Sequence, residues 1–378
     1  MEQEKLKLGV LFSQSGPMAV TEHAHLQGVL LACEEINEAG GVGGRHLDPI
    51  ILDPKGDDRR YAELAAELLL KHQANCIIGC CLSSSRKAVL PVIERFNGVL
   101  FYPSVYEGFE YTPNVIYGGA VPNQMVIPLL EYIFEHHGRR IALLGSDTLY
   151  AREINRIVKE FLGDSGGEVV AEKYFRFGVS GDEVQLELNR ALEHTPDVII
   201  STVVGEDSVT LYSAYGESED LPKRPPIASL TTTESELDKV NASSRAGHLA
   251  VSPYFASMKS LANGKFVDAY QNRFGQTVQP SVYSEVTYAL VHFFANAAKV
   301  AGGSDTDSIL SALSGAVLKS PSGDLSIDLD TNHFALRPMV GLSNDQGHYD
   351  VVWKSPTPIA PDPYLVSYDR TVNNRATG

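Results

Sequence analysis

Leu6-Lys7-Leu8-Gly9-Val10-Leu11-Phe12 is a largely apolar run that ends in Ser13-Gln14-Ser15, and a helical pattern follows it. The same order returns at Ser83-Ser84-Ser85, Tyr102-Pro103-Ser104, Ser146-Asp147-Thr148, Ser201-Thr202 and Thr231-Thr232-Thr233. In an open parallel α/β sheet, strand ends of this kind converge on one crevice, where ligands bind. Hydroxyls gathered there without a cage of charges suit a small, neutral, polar molecule.

Outward from that run, Leu26, Val29, Leu30, Cys33, Ile36 and Asn37 repeat at the spacing of one buried helix face. Gly40-Gly41 supplies a C-cap, and Val42-Gly43-Gly44 turns the chain into a strand from Leu47 to Leu52. A helix over Tyr61 to His72, a strand over Cys76 to Gly79, a helix over Arg86 to Phe96 and a strand over Val99 to Tyr102 continue the alternation. After Pro122 it starts again. Helices are predicted over 128–137, 150–162 and 183–194, and strands over 140–145, 169–174, 197–204, 226–230 and 248–254.

Two β/α series in succession predict an α/β protein of two doubly wound parallel-sheet lobes, their strand ends facing across a cleft. Ser257 to Phe274 and Tyr283 to Val300 read as late helices that return to complete the first lobe. Leu325 to Val352 reads as short strands with turns at Asp330-Thr331-Asn332 and Asn344-Asp345-Gln346-Gly347. The expected division is 1–121 plus 254–322 for the N-terminal lobe and 122–253 plus 323–378 for the C-terminal lobe, with three hinge crossovers. The proline-rich segment from Pro356 to Pro363 should run extended over the surface.

The 378 residues suffice for two cores, and 43% hydrophobic with 21% charged residues is the range of a soluble globular chain. A formal charge of −16 argues against direct contact with nucleic acid or an anionic membrane surface, and no apolar run is long enough for membrane insertion. Met1-Glu2-Gln3-Glu4-Lys5 leads straight into the first strand, which is the expectation for a cytoplasmic chain, or for a periplasmic one whose signal peptide has been removed.

Cys33, Cys76, Cys80 and Cys81 sit on predicted buried surfaces and read as reduced thiols. No ligand set of metal-binding spacing accompanies them, so neither cofactor nor metal is expected. His23, His25, His136 and His137 lie near helix ends, where solvated or capping roles are expected. Gly41-Val42-Gly43-Gly44 follows a helix, the reverse of a dinucleotide loop, and is turn chemistry. Ser84 and Lys87 have the S-x-x-K spacing of acyl-enzyme hydrolases, but the K-T-G and S-D-N partners are missing. Ser83 to Ser85 read instead as a helix cap, with unpaired backbone N–H groups available to an oxygen acceptor.

The segment from Tyr102-Pro103-Ser104-Val105-Tyr106-Glu107-Gly108-Phe109 through Tyr111-Thr112-Pro113-Asn114, Tyr117-Gly118-Gly119 and Pro122-Asn123-Gln124 is the most specific. With Gly79-Cys80, Ser83, Arg86 to Val92, Gly145-Ser146-Asp147, Tyr150, Ser201 to Gly205, Pro225 to Thr232 and Pro361 to Tyr364, it resembles the urea and short-chain-amide branch of the type I periplasmic-binding-protein family. The resemblance runs nearly end to end. Ile227 to Thr232, and the absence of a leader from the sequence as given, are most similar to the AmiC-like cytoplasmic amide sensors that control amidase operons.

That resemblance implies a binding protein, not an enzyme: a sensor that holds a small neutral amide or urea-like compound in the interlobe cleft. Closure would be the output, and the partner an RNA-binding antitermination regulator. It also implies the ligand-binding residues. Ser83 would offer hydroxyl and backbone N–H to the amide carbonyl, and Tyr102 and Ser104 would bond the amide from the same lobe. Tyr150, Val204, Gly205 and Thr231 would close from the other. Glu285 stands where amino-acid-binding relatives hold an ammonium group, with a surface or structural role as the alternative.

Cys81 and Thr148 stand where the family has aromatics, and Val105 where it has proline. Aromatic side chains bury about 150–250 Å² each, so the two exchanges predict a ligand bulkier than acetamide or urea. Affinity has a ceiling: at about −1.5 kcal/mol per heavy atom, a four-atom amide is bounded near −6 kcal/mol, or tens of micromolar. Two other readings stand beside the sensor. One is the solute-binding receptor of an ABC importer for urea or short-chain amides; the other, a minor one, is a serine amidase. A homo-oligomer is left open.

Overall fold

The structure, a computed structural model, describes residues 5–217, 224–328 and 330–366. The C-terminal part of the 323–378 segment therefore extends past the described residues. The first elements are β1 (Leu6–Leu11), α1 (Ala19–Glu38), β2 (Leu47–Leu52), α2 (Asp58–Leu70), β3 (Cys76–Gly79), α3 (Ser83–Arg95), β4 (Val99–Tyr102) and β5 (Val115–Tyr117). Their strands stand in the order β2-β1-β3-β4-β5, all parallel. Leu8, Val10, Leu11, Ile77 and Leu100 are all fully buried, which is why these strands read as unbroken apolar runs. The sheet order reverses between β1 and β3, so the loops after these two strands diverge to opposite faces and leave a crevice at their carboxyl ends.

The second series is α4 (Pro122–His136), β6 (Arg140–Ser146), α5 (Leu149–Asp164), β7 (Glu168–Phe175), α6 (Gly181–Glu193), β8 (Val198–Thr202), α7 (Glu206–Glu217), β9 (Ile227–Ser229), α8 (Glu234–Leu237), α9 (Ala242–Arg245) and β10 (Leu249–Ser252). Helix α4 starts at Pro122, ahead of the expected Pro128, because proline at the first helical position loses no hydrogen bond. Helix α7 had no sequence assignment; its apolar residues are interrupted by Asp207, Ser208 and Ser213.

The chain then forms α10 (Leu261–Phe274), α11 (Val282–Ala301), α12 (Thr306–Leu313), β11 (Val317–Ser320), β12 (Gly323–Ile327) and β13 (Phe334–Ala335), followed by β14 (Met339–Ser343) and β15 (Tyr349–Lys354). Two compact units result. One comprises Met1–Tyr106, Glu110–Gly119 and Met258–Ala335; the other comprises Glu107–Phe109, Ala120–Ser257 and Leu336–Gly378. The α/β architecture with two parallel-sheet units matches the sequence expectation.

The boundary near 323 differs from that expectation. Residues 323–335 stay with the first unit because β12 pairs antiparallel with β11, and His333 bridges to Tyr117 beside β5. Residues 254–257 stay with the second, where the Ala256 N–H donates to Glu234 at 2.9 Å.

In the second unit the strand order is β15-β14-β10-β9-β8-β6-β7. Strands β6 to β10 are parallel, while β14 and β15 are antiparallel additions at one edge. The order reverses between β6 and β8, which repeats the switch-point arrangement of the first unit. The proline-rich segment lies against this unit: Gln124 donates to the Ile359 carbonyl at 3.0 Å and the Phe109 N–H to that of Pro363 at 2.8 Å.

Helix α1 departs from its simple stripe. It buries Val20, Ala24, His25 and Leu31 besides Leu26, Val29, Cys33 and Ile36, since α11 covers a second face. Gly28 permits that approach: a Cβ there would stand 2.0 Å from the Ser284 carbonyl oxygen.

Candidate ligand-binding site

In the first unit, Cys81, Ser83, Tyr102, Ser104 and Val105 all follow the carboxyl ends of β3 and β4, next to the β1/β3 switch point. All except half-buried Val105 are buried. The expected hydroxyl cap of α3 is not what forms. Leu82 is the N-cap residue, and the Ser85 hydroxyl donates to its carbonyl at 2.8 Å. Ser83 opens the helix, in its first turn.

Tyr102 is held from several sides. Its hydroxyl donates to the Cys81 carbonyl at 2.8 Å, and the Arg86 guanidinium sits 4.8 Å above its ring. Arg86, fully buried, lies 4.6 Å over Tyr106 as well and pairs with Glu110 at 2.7 Å. Burial alone would raise the Glu110 pKa, but Arg86 and Lys87 hold it below its ordinary value.

Ser104 meets a residue the sequence reading had placed elsewhere. His25 is neither solvated nor a cap: it is fully buried, with Nε2 3.1 Å from the Ser104 hydroxyl and Nδ1 2.9 Å from the Tyr283 carbonyl. Burial lowers its pKa to about 3, so the ring is neutral.

Ser13, the first hydroxyl in the sequence, is also committed. Its N–H donates to Glu22 at 2.5 Å, as does the Tyr61 hydroxyl, and burial raises the Glu22 pKa to about 7.

In the second unit, Tyr150, Val204, Gly205 and Thr231 follow the ends of β6, β8 and β9, neighbours in the sheet. Ser146 joins two of these loops by accepting the Val204 N–H at 3.1 Å. Thr231 donates its hydroxyl to the Val203 carbonyl at 2.8 Å, and Gly205 takes the left-handed conformation, φ 64°, at the start of α7. Thr148 is the N-cap of α5, its hydroxyl accepting the Ala151 N–H at 3.2 Å, a task no aromatic side chain performs.

Tyr150 is different. Its hydroxyl is buried and, among the described residues, has no hydrogen-bond partner. Burial, with nearby Glu107 adding to it, pushes its pKa well above the ordinary tyrosine range. A buried polar atom left without a partner costs about 1–3 kcal/mol; the Tyr212 and Ser281 hydroxyls and His292 Nε2 share this status, and of the four only Tyr150 is among the expected ligand residues.

Two other sequence candidates are committed elsewhere. Glu285 is buried and bonded to the Ser320 and Ser322 hydroxyls and to the Ser322 N–H at 3.1 Å, so its role is within the first unit. Ser84 donates to Asp58 at 3.2 Å, and Lys87 is paired with Glu110 at 2.8 Å, so they do not form a nucleophile–base pair. A depression of about 570 Å³ beyond β7, lined by Asp147, Lys173, Arg176 and Glu183 among others, includes none of the expected ligand residues. Cys33, Cys76, Cys80 and Cys81 are buried thiols outside any disulfide. Among the described residues no His, Cys, Asp or Glu cluster is placed to hold a metal ion, and no helix is long and apolar enough to cross a membrane.

Each unit carries a strand-order switch point on the parallel part of its sheet, with hydroxyl-bearing residues at the strand ends, the place where small molecules bind in open α/β sheets. The chain belongs to the periplasmic binding protein domain family, which matches residues 6–370. It is 24% identical over 339 residues to the leucine-, isoleucine-, valine-, threonine- and alanine-binding protein of Pseudomonas aeruginosa, covering 87% of each chain. Among solved structures, LivJ of Streptococcus pneumoniae in complex with isoleucine has a TM-score of 0.82 at 23% identity, over 93% of this chain and 100% of that one. A solute-binding protein of Rhodopseudomonas palustris HaA2 in complex with p-hydroxybenzoic acid has a TM-score of 0.86 at 19% identity, over 96% and 100%. At these identities the likeness shows the fold. A limonene hydroxylase of Geobacillus stearothermophilus is 30% identical over 122 residues, but the chain spans 22% of that protein's length and its activity is not carried over.

Proposed function

We propose that this protein is the solute-binding receptor of an importer-type system, taking a small uncharged amide or urea-like solute and performing no chemistry on it. The observation that carries this reading is the buried Tyr150 hydroxyl without a partner among the described residues, on the segment after β6, whose sheet neighbours β8 and β9 lead to Val204, Gly205 and Thr231. Ser83, Tyr102 and Ser104 supply the first unit's share, with Cys81 and Val105 setting the room around them. A ligand that binds one conformation of the protein better than another shifts the population toward it, and this differential affinity is the signal a partner reads.

Two features favour a neutral ligand. The residues of both sets offer hydroxyls and peptide groups, and the Glu285 carboxylate is engaged by Ser320 and Ser322. The relatives' ligands, branched-chain amino acids and hydroxybenzoate, are the alternatives to be tested. Calorimetric titration with urea, acetamide, propionamide, benzamide, leucine and p-hydroxybenzoate decides between them. Amide binding that tightens with size supports the reading; tight leucine or hydroxybenzoate binding refutes the amide assignment while keeping the receptor.

A second reading rests on the segment Ile227 to Thr232, which resembles the cytoplasmic amide sensors. In that reading the partner is an RNA-binding antitermination regulator instead of a membrane transporter. Cell fractionation of the native host, with the binding partner recovered in the presence and absence of propionamide, separates the two.

A further inference from the structure

We infer that His25 fixes the Ser104 hydroxyl as a hydrogen-bond acceptor toward the ligand, and so selects a solute that presents an N–H or O–H at that point. The inference rests on the proposed place of Ser104 in the ligand site. The polarity follows from the geometry. A backbone carbonyl can only accept, so the 2.9 Å contact from Nδ1 to the Tyr283 oxygen puts the ring proton on Nδ1. The ring is neutral, held at a pKa of about 3 by burial, so Nε2 is bare. The Ser104 oxygen, 3.1 Å from Nε2, must then be the donor. Its proton is spent, and only lone pairs remain for a guest.

The ring cannot turn to relax this arrangement. It stacks on Phe12 at 5.1 Å and 10°, and Tyr283 lies tilted against it at 4.9 Å. A flip would exchange both nitrogens for carbons and break both hydrogen bonds. The backbone is pinned too, because Thr287 donates to the His25 carbonyl at 2.8 Å. His25 is therefore a positioning residue, acting through Ser104.

For a primary carboxamide, this polarity directs the NH2 group toward Ser104 and the carbonyl toward the α3 N-terminus at Ser83. Propionamide and butanone differ only by NH2 in place of CH3, so they probe the polarity directly. Wild-type protein should bind propionamide at least about ten-fold more tightly, the cost of one lost hydrogen bond at a buried acceptor. Ser104→Ala should abolish that preference, and His25→Phe should reduce it while leaving a cooperative melt.

The 15N spectrum of the unliganded protein gives the readout that a merely structural role would not move: a protonated Nδ1 and a bare Nε2 on His25. A protonated Nε2, or an undiminished propionamide preference in a folded His25→Phe protein, would overturn the inference. If neither probe binds although the tautomer is as stated, the amide reading of the site fails and the selectivity falls with it. A wrong tautomer with intact propionamide binding sinks the inference alone.

Discussion

Arg86 and Glu110 form an ion pair at 2.7 Å in which the arginine side chain has no exposed surface. The guanidinium also lies 4.8 Å from the Tyr102 ring centre and 4.6 Å from that of Tyr106, two rings that meet edge to face, so one side chain contacts both the β4 end and the segment that follows. Removing one member of a buried pair leaves the other charge uncompensated. Glu110→Gln strands the fully buried Arg86 cation and should cost about 3–5 kcal/mol of stability, measured by urea unfolding. Arg86→Leu should cost less, since Lys87, 2.8 Å from Glu110, still neutralises the carboxylate.

Tyr150→Phe should separate binding from stability. The hydroxyl it removes has no partner among the described residues, so the melting temperature should hold or rise slightly. Affinity for the tightest amide of the series should fall about ten-fold. A drop in stability with unchanged affinity would show that the hydroxyl serves the fold instead.

Glu22 gives a pH dependence of definite sign. Its folded pKa is raised from 4.5 to about 7 by burial, so between these values the folded state holds a proton that the unfolded state has released. Its contribution is complete below pH 4.5 and is lost as pH rises toward about 7. Glu22→Gln should remove that slope, by up to about 3 kcal/mol across the window. Unfolding free energies of the two proteins at pH 5 and pH 8 test it: their difference should change with pH, and a constant difference would refute the assignment.

Gly28→Ala tests the helix contact. The added methyl would stand 2.0 Å from the Ser284 backbone carbonyl oxygen and 2.4 Å from Thr287 Oγ1, and the backbone oxygen cannot give way without moving the helix. Separation of α1 from α11 should cost about 1–3 kcal/mol or more. The His25 contacts bridge the same two helices through Tyr283, so the variant should also weaken amide binding.

The hydroxyl clusters were legible because strand ends in parallel sheets are marked by local composition, and all six fall at or just after strands of the two main sheets. The ligand candidates came from the family resemblance; Ser83, Tyr102 and Ser104 lie at one sheet end, and Tyr150, Val204, Gly205 and Thr231 lie at the end of the other sheet. His25 was misread for a physical reason. It sits on α1 as an ordinary polar residue between apolar ones, and only α11, through a partner 258 residues away, takes it out of water. Glu285 was ambiguous on the same ground: its acceptors are satisfied from the β11–β12 turn, 35 and 37 residues further on. Residues 323–335 were assigned to the wrong unit because an isolated strand pattern does not name its pairing partner.

By itself the sequence determined the alternation of strands and helices, the two parallel sheets and the positions of the hydroxyl-bearing strand ends. These follow from periodicity and turn chemistry, which act over a few residues. Only the tertiary structure decided where the polar protons go: the Ser13 N–H to Glu22, the Ser104 hydroxyl to His25, the Tyr102 hydroxyl to the Cys81 carbonyl, and the Tyr150 hydroxyl to no described residue. A hydrogen bond requires its two groups within about 3 Å, and groups far apart along the chain reach that distance only when separate elements pack against each other.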